Sequence, residues 1–459
     1  MARFNTRKVY ARTYEWAPAT PLSNKTELVK LCLTSFVSNT FYETSDEVIE
    51  RVKQYADSLE IDFVAKLAIF SREYWLRSIN HLLAGILAKR LSWSDWARGY
   101  YTRFINKLVK RPDELAEILQ AYNIFTKENK LIVPNILRVS LKDRLARFSE
   151  FHLAKYKNKW DMKLHDLCNL IHPKSEAIDK LMKGTLPSID TWETQLSAGA
   201  DKKETFEKLM AENQLGGKAF LMNVRNMLQA GVDEQLMANY ATSMNSSMLF
   251  PIDVMKAFFS AIDAGITIGR KLTKSLEDLA IKLYWEVPFL KDNTAILCDV
   301  SESMTMWTLT DRSTYKAADV AAFYTALASL AYDKPEIILF SDNAYKVKTF
   351  PGDGLMRIFM NIKDKFFMWG TDVQAGIDMV SKDIKQAIVY TDWQFAYEIR
   401  NTRHLDKIVV ANICGYKNTV FSKGNKIIEI SWFNDVMLKY ASDLSNIDWL
   451  LQKIESIEL

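Results

Sequence analysis

Cysteine is scarce in this sequence, which has four in 459 residues, and no two of them form a CxxC pair. Zinc sites usually show closely spaced pairs of cysteines, and disulfide frameworks are rich in cysteine. The few, widely separated cysteines therefore indicate reduced thiols inside an intracellular protein. Histidine is also rare, with five residues, and no GxxxxGK[ST] phosphate-binding loop occurs. These absences argue against a zinc protein and against a P-loop ATPase.

Long apolar runs are absent as well. No stretch approaches the roughly 18 uninterrupted apolar residues that a membrane-spanning helix needs. The first residues, MARFNTRKVY, lack the apolar core of a signal peptide. We therefore expect a soluble, cytoplasmic protein without a membrane partner. The formal net charge is only +4, so the whole-chain charge does not establish a nucleic-acid partner, and local charge clusters must be considered.

The first part of the chain has a helical pattern. From about residue 26 to about residue 285, apolar residues recur three and four positions apart, interrupted mainly at prolines. This pattern predicts many consecutive helices joined by short turns. We interpret them as a stacked array of helical pairs rather than a compact bundle.

The pattern then changes to strands that alternate with helices. The predicted strands are TAILCDV, EIILFSD, AYKVKTF, QAIVYTD, KIVVANI and KIIEISW. Continuous apolar strands separated by helices indicate a doubly wound, mainly parallel sheet that is covered on both faces. We therefore predict two domains, an α-helical array over residues 1–287 and an α/β domain over residues 288–459.

Oxygen-bearing side chains follow the first of these strands. Asp299 ends the run TAILCDV, and Ser301 and Ser303 come directly after it. Two further candidates are Thr371, in a glycine-led loop before a helix, and Asp392, which follows the strand QAIVYT. Carboxylate and hydroxyl oxygens suit Mg²⁺ or another divalent cation better than zinc or copper.

This arrangement resembles the metal-ion-dependent adhesion site of von Willebrand factor A domains, in which such a site leaves one coordination position open for an acidic partner. The alternative is a purely structural role, in which Ser301 and Ser303 cap the following helix and Asp299 lies in a loop turn. An enzymatic alternative is a haloacid-dehalogenase phosphatase, which needs a second aspartate where Ser301 stands. His404 is interpreted as a solvated helix residue rather than a base, so we predict a protein without catalytic activity.

Positive charge is concentrated between residues 138 and 174. The cations there are Arg138, Lys142, Arg144, Arg147, Lys155, Lys157, Lys159, Lys163 and Lys174. The acids are Asp143, Glu150, Asp161 and Asp166, so the local excess is larger than the net charge of the whole chain. Tyr156, Trp160, His165 and His172 lie among the lysines. Phosphates attract the cations and unpaired bases stack on the rings, so the segment is typical of an RNA-binding surface, with an ordinary solvated helix face as the alternative.

A second basic group strengthens this interpretation. It comprises Lys89, Arg90, Arg98, Arg103, Lys107, Lys110 and Arg111. Trp93, Trp96, Tyr100 and Tyr101 lie among these cations, and some of them are expected in the core.

The stretch FHLAKYKNKWDMKLHDLCNLIHPK resembles the signature of the TROVE module of Ro-type ribonucleoproteins. SFVSNTFYE is similar to the early Gly-Thr-Tyr-Tyr region of that module, although Asn39 replaces the glycine and Phe41 stands at a tyrosine position. KAFLMNVRNML is similar to its later Arg-Asn-Met run. The helical array followed by an α/β domain extends the resemblance over nearly the full chain.

The resemblance implies a ring of HEAT-like helical repeats closed by a von Willebrand factor A domain. It also implies binding of small structured Y-type RNAs and of single-stranded 3′ ends of misfolded RNAs, in RNA quality control. The implied contacts are Lys155, Lys159 and His172, with Arg225 from the Arg-Asn-Met run. The basic segment adds Lys157, Arg144 and Arg147 as candidates. For His172, the alternative is termination of a helix before Pro173.

Two questions about partners stay open at this point. Some bacterial relatives recruit an exoribonuclease, and an exoribonuclease is therefore one candidate partner of this chain. The rival interpretation of the whole protein is a metal-dependent protein-binding scaffold that grips an acidic partner and has no direct role with RNA. In either case we expect a monomer.

Overall fold

The structure is a computed structural model, and it describes the residues in the ranges 11–12, 18–19, 23–34, 44–73, 78–93, 96–126, 130–157, 162–187, 192–197, 199–285, 293–306, 308, 314–332, 334–349, 352–366, 369–392, 394, 399, 401–402, 404–414, 427–431 and 447–459. The chain packs into two units. We call one the helical unit, formed by Ser23–Val37, Ser45–Thr194 and Asn446–Leu459. We call the other the mixed unit, formed by Met1–Leu22, Ser38–Thr44 and Gln195–Ser445.

The predicted run of consecutive helices is confirmed in the helical unit. Its helices are α1 (Asn24–Thr34), α2 (Ser45–Ser58), α3 (Ile61–Glu73), α4 (Ser78–Leu91), α5 (Ala97–Leu108), α6 (Glu114–Ile124), α7 (Asn135–Ala146), α8 (Glu150–Tyr156), α9 (Leu164–Ile171) and α10 (Glu176–Met182), followed by α11 (Trp192–Ser197). Several helices pack against the second helix along the chain, such as α4 on α6, α5 on α7 and α8 on α10. This is the packing of stacked helical pairs.

Helix α4 forms the centre of this array, because residues on all of its sides are buried. A helix that is apolar all round must be enclosed by neighbours, and α4 contacts α2, α3, α5 and α6. At Gly85, an added Cβ atom would lie 2.6 Å from the backbone nitrogen of Tyr122. Glycine is therefore required where α4 crosses α6.

The last helix of the chain, α21 (Ile447–Glu455), packs on α3. Lys25 pairs with the Glu455 carboxylate at 2.7 Å, and Lys66 donates to the Glu455 carbonyl oxygen at 2.9 Å. Lys107 donates to the Glu458 carbonyl oxygen at 2.8 Å. The C-terminal residues are therefore part of the helical unit.

The mixed unit combines helices with a sheet. Its helices are α12 (Lys202–Ala211), α13 (Gly217–Gln229), α14 (Glu234–Ser243), α15 (Pro251–Asp263), α16 (Arg270–Trp285), α17 (Ser303–Met306), α18 (Ala317–Ala331), α19 (Leu355–Lys363) and α20 (Val373–Met379). Its strands are β1 (Ala11–Arg12), β2 (Pro18–Ala19), β3 (Thr294–Asp299), β4 (Glu336–Phe340), β5 (Ala344–Val347), β6 (Gln386–Thr391), β7 (Lys407–Asn412) and β8 (Ile427–Ser431). All six predicted strands are confirmed, as β3 to β8.

The main sheet has the strand order β5-β4-β3-β6-β7-β8. All neighbouring strands are parallel except β5, which returns antiparallel to β4 through a short turn. The chain goes from β3 to β4 on one side and later to β6 on the other side. The carboxyl end of β3 is therefore the point where the strand order reverses, which is where open α/β sheets bind ligands.

Buried phenol groups join α16 to the sheet within the mixed unit. The Tyr284 hydroxyl lies 3.0 Å from the hydroxyls of both Tyr332 and Tyr390. Burial raises the pKa of all three phenols well above the ordinary value, so they are neutral and act as hydrogen-bonding groups. Tyr390 lies on β6, directly before Thr391, so this network supports the strand that ends at the candidate metal centre.

Three of the four cysteines, Cys32, Cys168 and Cys298, are buried thiols. In the described ranges, no helix combines the length and apolar character that crossing a membrane requires. The two units group residues by their contacts and place α12–α16 with the sheet. The domain boundary between residues 287 and 288 stays a prediction.

Candidate metal centre and candidate nucleic-acid interface

Asp299 is the central side chain of the candidate metal centre. It is the last residue of β3 and is fully buried. Its Oδ1 accepts a hydrogen bond from the Ser301 backbone nitrogen at 2.9 Å, and its Oδ2 accepts one from Thr391 Oγ1 at 2.6 Å. Burial raises the pKa of this carboxyl above its ordinary value, although the hydrogen bonds from Ser301 and Thr391 act in the opposite direction.

The two serines lie next to this carboxylate. Ser301 Oγ and Ser303 Oγ are 3.2 Å apart, and Ser301 is buried. Ser303 is the first residue of the short helix α17, so the turn after β3 brings both hydroxyls to the same end of the sheet. The capping alternative is compatible with this turn, but the close approach of the two oxygens is also what a shared cation requires.

Thr371 lies in a loop that is anchored at the end of β4. The Asp372 nitrogen donates to the Ser341 carbonyl oxygen at 2.8 Å, and the Asp342 nitrogen donates to the Trp369 carbonyl oxygen at 3.2 Å. Because β4 is the parallel neighbour of β3, these bonds hold Thr371 at the same edge as Asp299. Thr371 is buried, at 6% exposure.

Gly370 permits this loop conformation. Its φ angle is 70°, in the left-handed region, and an added Cβ atom would lie 1.6 Å from Asp342 Oδ1. A side chain here would be strained by the positive φ angle and would displace the Asp342 carboxylate. The neighbouring Trp369 is 76% exposed, a feature that the sequence-based search for metal ligands did not single out.

Asp392 completes the set. It follows β6, the other parallel neighbour of β3, and it is buried. Its Oδ1 accepts a hydrogen bond from the Gln394 nitrogen at 3.1 Å. The structure therefore places all five predicted ligands, Asp299, Ser301, Ser303, Thr371 and Asp392, at the carboxyl edge of the three central strands.

The chemistry of these donors fits a hard divalent cation. Within the described residues, no cluster of three or more His, Cys, Asp or Glu side chains is suited to hold a metal. A cation at this edge would therefore depend on hydroxyl oxygens together with the carboxylates of Asp299 and Asp392. Such a set suits Mg²⁺ and is unsuited to zinc or copper.

The candidate nucleic-acid interface lies along α7–α9 of the helical unit. We call it the basic surface, and its exposed members are Arg138, Arg147, Lys155, Lys157, Lys163, His165, His172 and Lys174. Lys159 and Trp160 fall outside the residues that the structure describes, as does the stretch SFVSNTFYE.

Lys155 lies beside two aromatic rings. Its Nζ is 5.9 Å from the centre of the Phe151 ring and 5.8 Å from that of Tyr156. Phe151 is 51% exposed and was missed by the sequence-based search. Its spacing of four residues from Lys155 on α8 is the signal that would have found it, because residues four apart share a helix face. The pair presents a cation and a ring to solvent together.

His172 ends α9 in an unusual conformation. Its φ and ψ angles are 51° and 58°, and its backbone nitrogen donates to the Cys168 carbonyl oxygen at 2.9 Å. A left-handed residue commonly ends a helix, but glycine is the usual choice because it carries no Cβ atom. His172 therefore does terminate the helix, and it also keeps an exposed imidazole where glycine would relieve strain.

The two neighbouring arginines differ in their contacts. Arg144 is half-buried, and its Nε and Nη2 atoms donate to the Val109 carbonyl oxygen at 3.0 and 2.6 Å. Its guanidinium also lies over the Phe148 ring at 4.5 Å. Arg147 is exposed and pairs with Asp143 on the same helix. Arg144 therefore stabilises the turn after α5, whereas the guanidinium of Arg147 lies at the surface.

Arg225 belongs to the mixed unit, where it is exposed on α13, and its Nη2 lies 3.4 Å from Asn226 Oδ1. The interpretation of His404 as a solvated helix residue is wrong. His404 lies in a half-buried turn, and its Nε2 is 2.6 Å from the Ser381 carbonyl oxygen. The sequence pattern RNTRHLD has helical spacing, but the chain turns there to enter β7.

The fold combines helical repeats with an α/β domain of the von Willebrand A type. Residues 30–185 match the family model of the TROVE domain, in agreement with the predicted resemblance. The basic surface lies within these residues.

Telomerase protein component 1 of Rattus norvegicus is 26% identical over 136 residues, which is 28% of this chain and 5% of that protein. The Mus musculus protein of the same name is 26% identical over 140 residues, 29% of this chain and 5% of that protein. The chain therefore spans only a small part of the length of these relatives.

The crystal structure of the Ro (Rsr) protein of Deinococcus radiodurans is similar over 92% of this chain and 100% of that one, with a TM-score of 0.63 and 14% sequence identity. This likeness concerns the fold. It confirms the predicted fold class of helical repeats plus a mainly parallel α/β domain of the von Willebrand A type.

Proposed function

We propose that this protein is a non-catalytic RNA-binding protein that acts as a component of a ribonucleoprotein. The observation that carries the proposal is the basic surface within the TROVE domain, where Lys155, Lys157 and His172 are exposed and Phe151 and Tyr156 lie beside Lys155. Lysines supply sequence-independent affinity for phosphates, and rings supply stacking for unpaired bases.

More specifically, we propose that the bound RNAs are small structured Y-type RNAs and misfolded RNAs with single-stranded 3′ ends. The resemblance to Ro-type ribonucleoproteins supports this choice. We assign no bond-cleaving role, because Ser301 stands where a phosphatase mechanism would need a second carboxylate beside Asp299.

A gel-shift titration with an RNA hairpin that carries a single-stranded 3′ tail tests the proposal. The variant Lys155→Glu with Lys157→Glu places two negative charges on the basic surface. The matched control is Lys202→Glu with Lys203→Glu, which makes the same change in charge at two exposed lysines of the mixed unit.

We expect the first pair to lower the affinity at least about tenfold. The slope of log affinity against log salt concentration should also become shallower, by the equivalent of about two phosphate contacts. The control pair should retain most of the affinity. Equal affinities of the two double variants, or binding that is indifferent to salt, would contradict the proposal.

We further propose that Asp299, Ser301, Ser303, Thr371 and Asp392 hold Mg²⁺ or a similar divalent cation. When bound, the cation would offer an open coordination position to an acidic side chain of a partner protein. Asp299 and Asp392 supply negative charge, and the hydroxyls supply neutral oxygens.

The alternative of a metal-dependent scaffold without a role in RNA binding rests on the same residues. Capture of partner proteins from the host, with and without EDTA and after ribonuclease treatment, separates the two functions. EDTA-sensitive capture that persists after ribonuclease treatment, from a protein that fails the gel-shift test, favours the scaffold.

A further inference from the structure

Two tryptophans between α4 and α5 are largely exposed to solvent. Trp93 is 93% exposed and Trp96 is 75% exposed. Indole rings carry a large apolar surface and are usually buried in a core or an interface. Their exposure on the helical unit, three residues apart in sequence, therefore indicates a contact surface.

From Trp96 onward, one face of α5 carries aromatic rings followed by cations. Trp96 has helical dihedral angles, φ −64° and ψ −27°, so residues four, seven and eleven positions later lie on its side of the helix. These residues are Tyr100, Arg103 and Lys107. Arg103 and Lys107 are exposed, and Tyr100 is partly exposed. We call Trp93, Trp96, Tyr100, Arg103 and Lys107 the α5 stripe.

The acidic group next to the α5 stripe is compensated. The Tyr100 hydroxyl donates to Asp62 Oδ1 at 3.2 Å, and Lys66 pairs with Asp62 at 2.8 Å. The negative charge of Asp62 is therefore offset by Lys66.

Other members of the second basic group have structural roles. Lys89 donates to the Phe125 carbonyl oxygen, and Arg90 donates to the carbonyl oxygens of Ala56 and Leu59. Tyr101 is buried, and its hydroxyl donates to the Ala84 carbonyl oxygen. The structure thus separates the part of this group that supports the fold from the part that faces solvent.

We propose that the α5 stripe is a second RNA contact, in which Trp93 and Trp96 stack on unpaired bases of a single strand and Arg103 contacts its phosphates. Flat rings next to cations on one surface can contact both the bases and the phosphates of a single strand. A purely apolar protein partner would leave the exposed guanidinium of Arg103 without a role, whereas Lys107 also donates to the Glu458 carbonyl oxygen. This inference rests on the proposed function and adds single-stranded RNA as the class of ligand for this particular surface.

The test compares the full-length chain with two double variants, Trp93→Ala with Trp96→Ala and Trp93→Phe with Trp96→Phe. The probes are a short fluorescent oligoadenylate and an abasic oligomer of the same length, each followed by fluorescence anisotropy. Trp369→Ala, which removes a 76% exposed tryptophan from the mixed unit, is the control for loss of an exposed indole. Equal thermal unfolding midpoints establish that the variants fold.

The alanine pair is expected to lower the affinity for oligoadenylate at least about tenfold, while the phenylalanine pair and Trp369→Ala stay within about threefold of the wild type. The affinity for the abasic oligomer should be nearly unchanged, because it has no bases to stack. Wild-type affinity of the alanine pair for oligoadenylate, or an equal loss for the abasic oligomer, would overturn the inference and leave the stripe to a protein partner.

Failure of the proposed function gives a different pattern. In that case the wild-type chain binds neither the tailed hairpin nor oligoadenylate, whatever the residues at positions 93 and 96. Failure of the inference alone leaves binding to the tailed hairpin sensitive to Lys155→Glu with Lys157→Glu.

Discussion

Thr391 Oγ1 donates a 2.6 Å hydrogen bond to Asp299 Oδ2 and so joins the ends of two adjacent parallel strands. Both residues are fully buried, and the bond fixes the orientation of the carboxylate at the point where the strand order of the sheet reverses. Protein donors alone therefore hold this carboxylate in the structure.

Replacing Thr391 with Val tests how much this hydrogen bond contributes to the free energy of unfolding. The substitution keeps the shape but removes the donor, so a buried carboxylate loses one partner. We expect the free energy of unfolding in urea, measured without divalent cations, to fall by about 1–3 kcal/mol. Thr391→Ser, which keeps a hydroxyl, is the control, and an equal loss in the two variants would show that the methyl group matters more than the bond.

Arg144→Ala and Arg147→Ala should separate a structural arginine from a surface one. Arg144 donates two hydrogen bonds to the Val109 carbonyl oxygen, and its loss is expected to lower the free energy of unfolding by about 1.5–3 kcal/mol. Arg147→Ala should leave the thermal midpoint unchanged, because its pair with Asp143 is exposed. For RNA affinity we expect the reverse order among folded variants, and a larger loss of affinity in Arg144→Ala would contradict this assignment.

His172→Gly distinguishes helix termination from RNA contact. Glycine adopts the left-handed conformation of this position without strain, so the free energy of unfolding should stay the same or rise by up to about 1 kcal/mol. Affinity for the tailed hairpin should fall about threefold to tenfold through loss of the imidazole. If affinity is retained in a stable His172→Gly protein, the residue serves the helix end alone.

Gly370→Ala tests the proposed cation site through the loop that carries Thr371. We expect millimolar Mg²⁺ to raise the thermal midpoint of the wild type, because a ligand that binds only the folded state stabilises it. The alanine Cβ would overlap Asp342 Oδ1, so the variant should lose this response.

Gly352→Ala is the matched control for the Mg²⁺ measurement. Gly352 also has a positive φ angle, 87°, but an added Cβ atom would meet nothing within 4 Å. Its alanine variant should therefore be destabilised by about 1 kcal/mol yet keep the response to Mg²⁺. An unaltered response in Gly370→Ala, or none in the wild type, would count against the site.

Local patterns in the sequence were sufficient to predict the elements and the composition of the candidate metal centre. A continuous apolar run such as Thr294–Asp299 is a buried strand in nearly any α/β context, and in a parallel sheet all carboxyl ends lie at one edge. Asp299 and Asp392 could therefore be assigned to the same edge before any coordinates were known. Spacing of three and four residues likewise predicted the helices of the helical unit.

Contacts between distant residues decided the rest. Arg144 and Arg147 cannot be distinguished by sequence composition. The hydrogen bond to the Val109 carbonyl oxygen, 35 residues away, shows that Arg144 supports the fold. The grouping of α12–α16 in one unit with the sheet and the packing of α21 on α3 could not be predicted from the sequence either. Periodicity determines which face of a helix is apolar, but the partner that covers the face is chosen by long-range packing. For the same reason the sequence showed that Trp93 and Trp96 lie among cations, and only the tertiary structure left both indoles at the surface while it buried Tyr101.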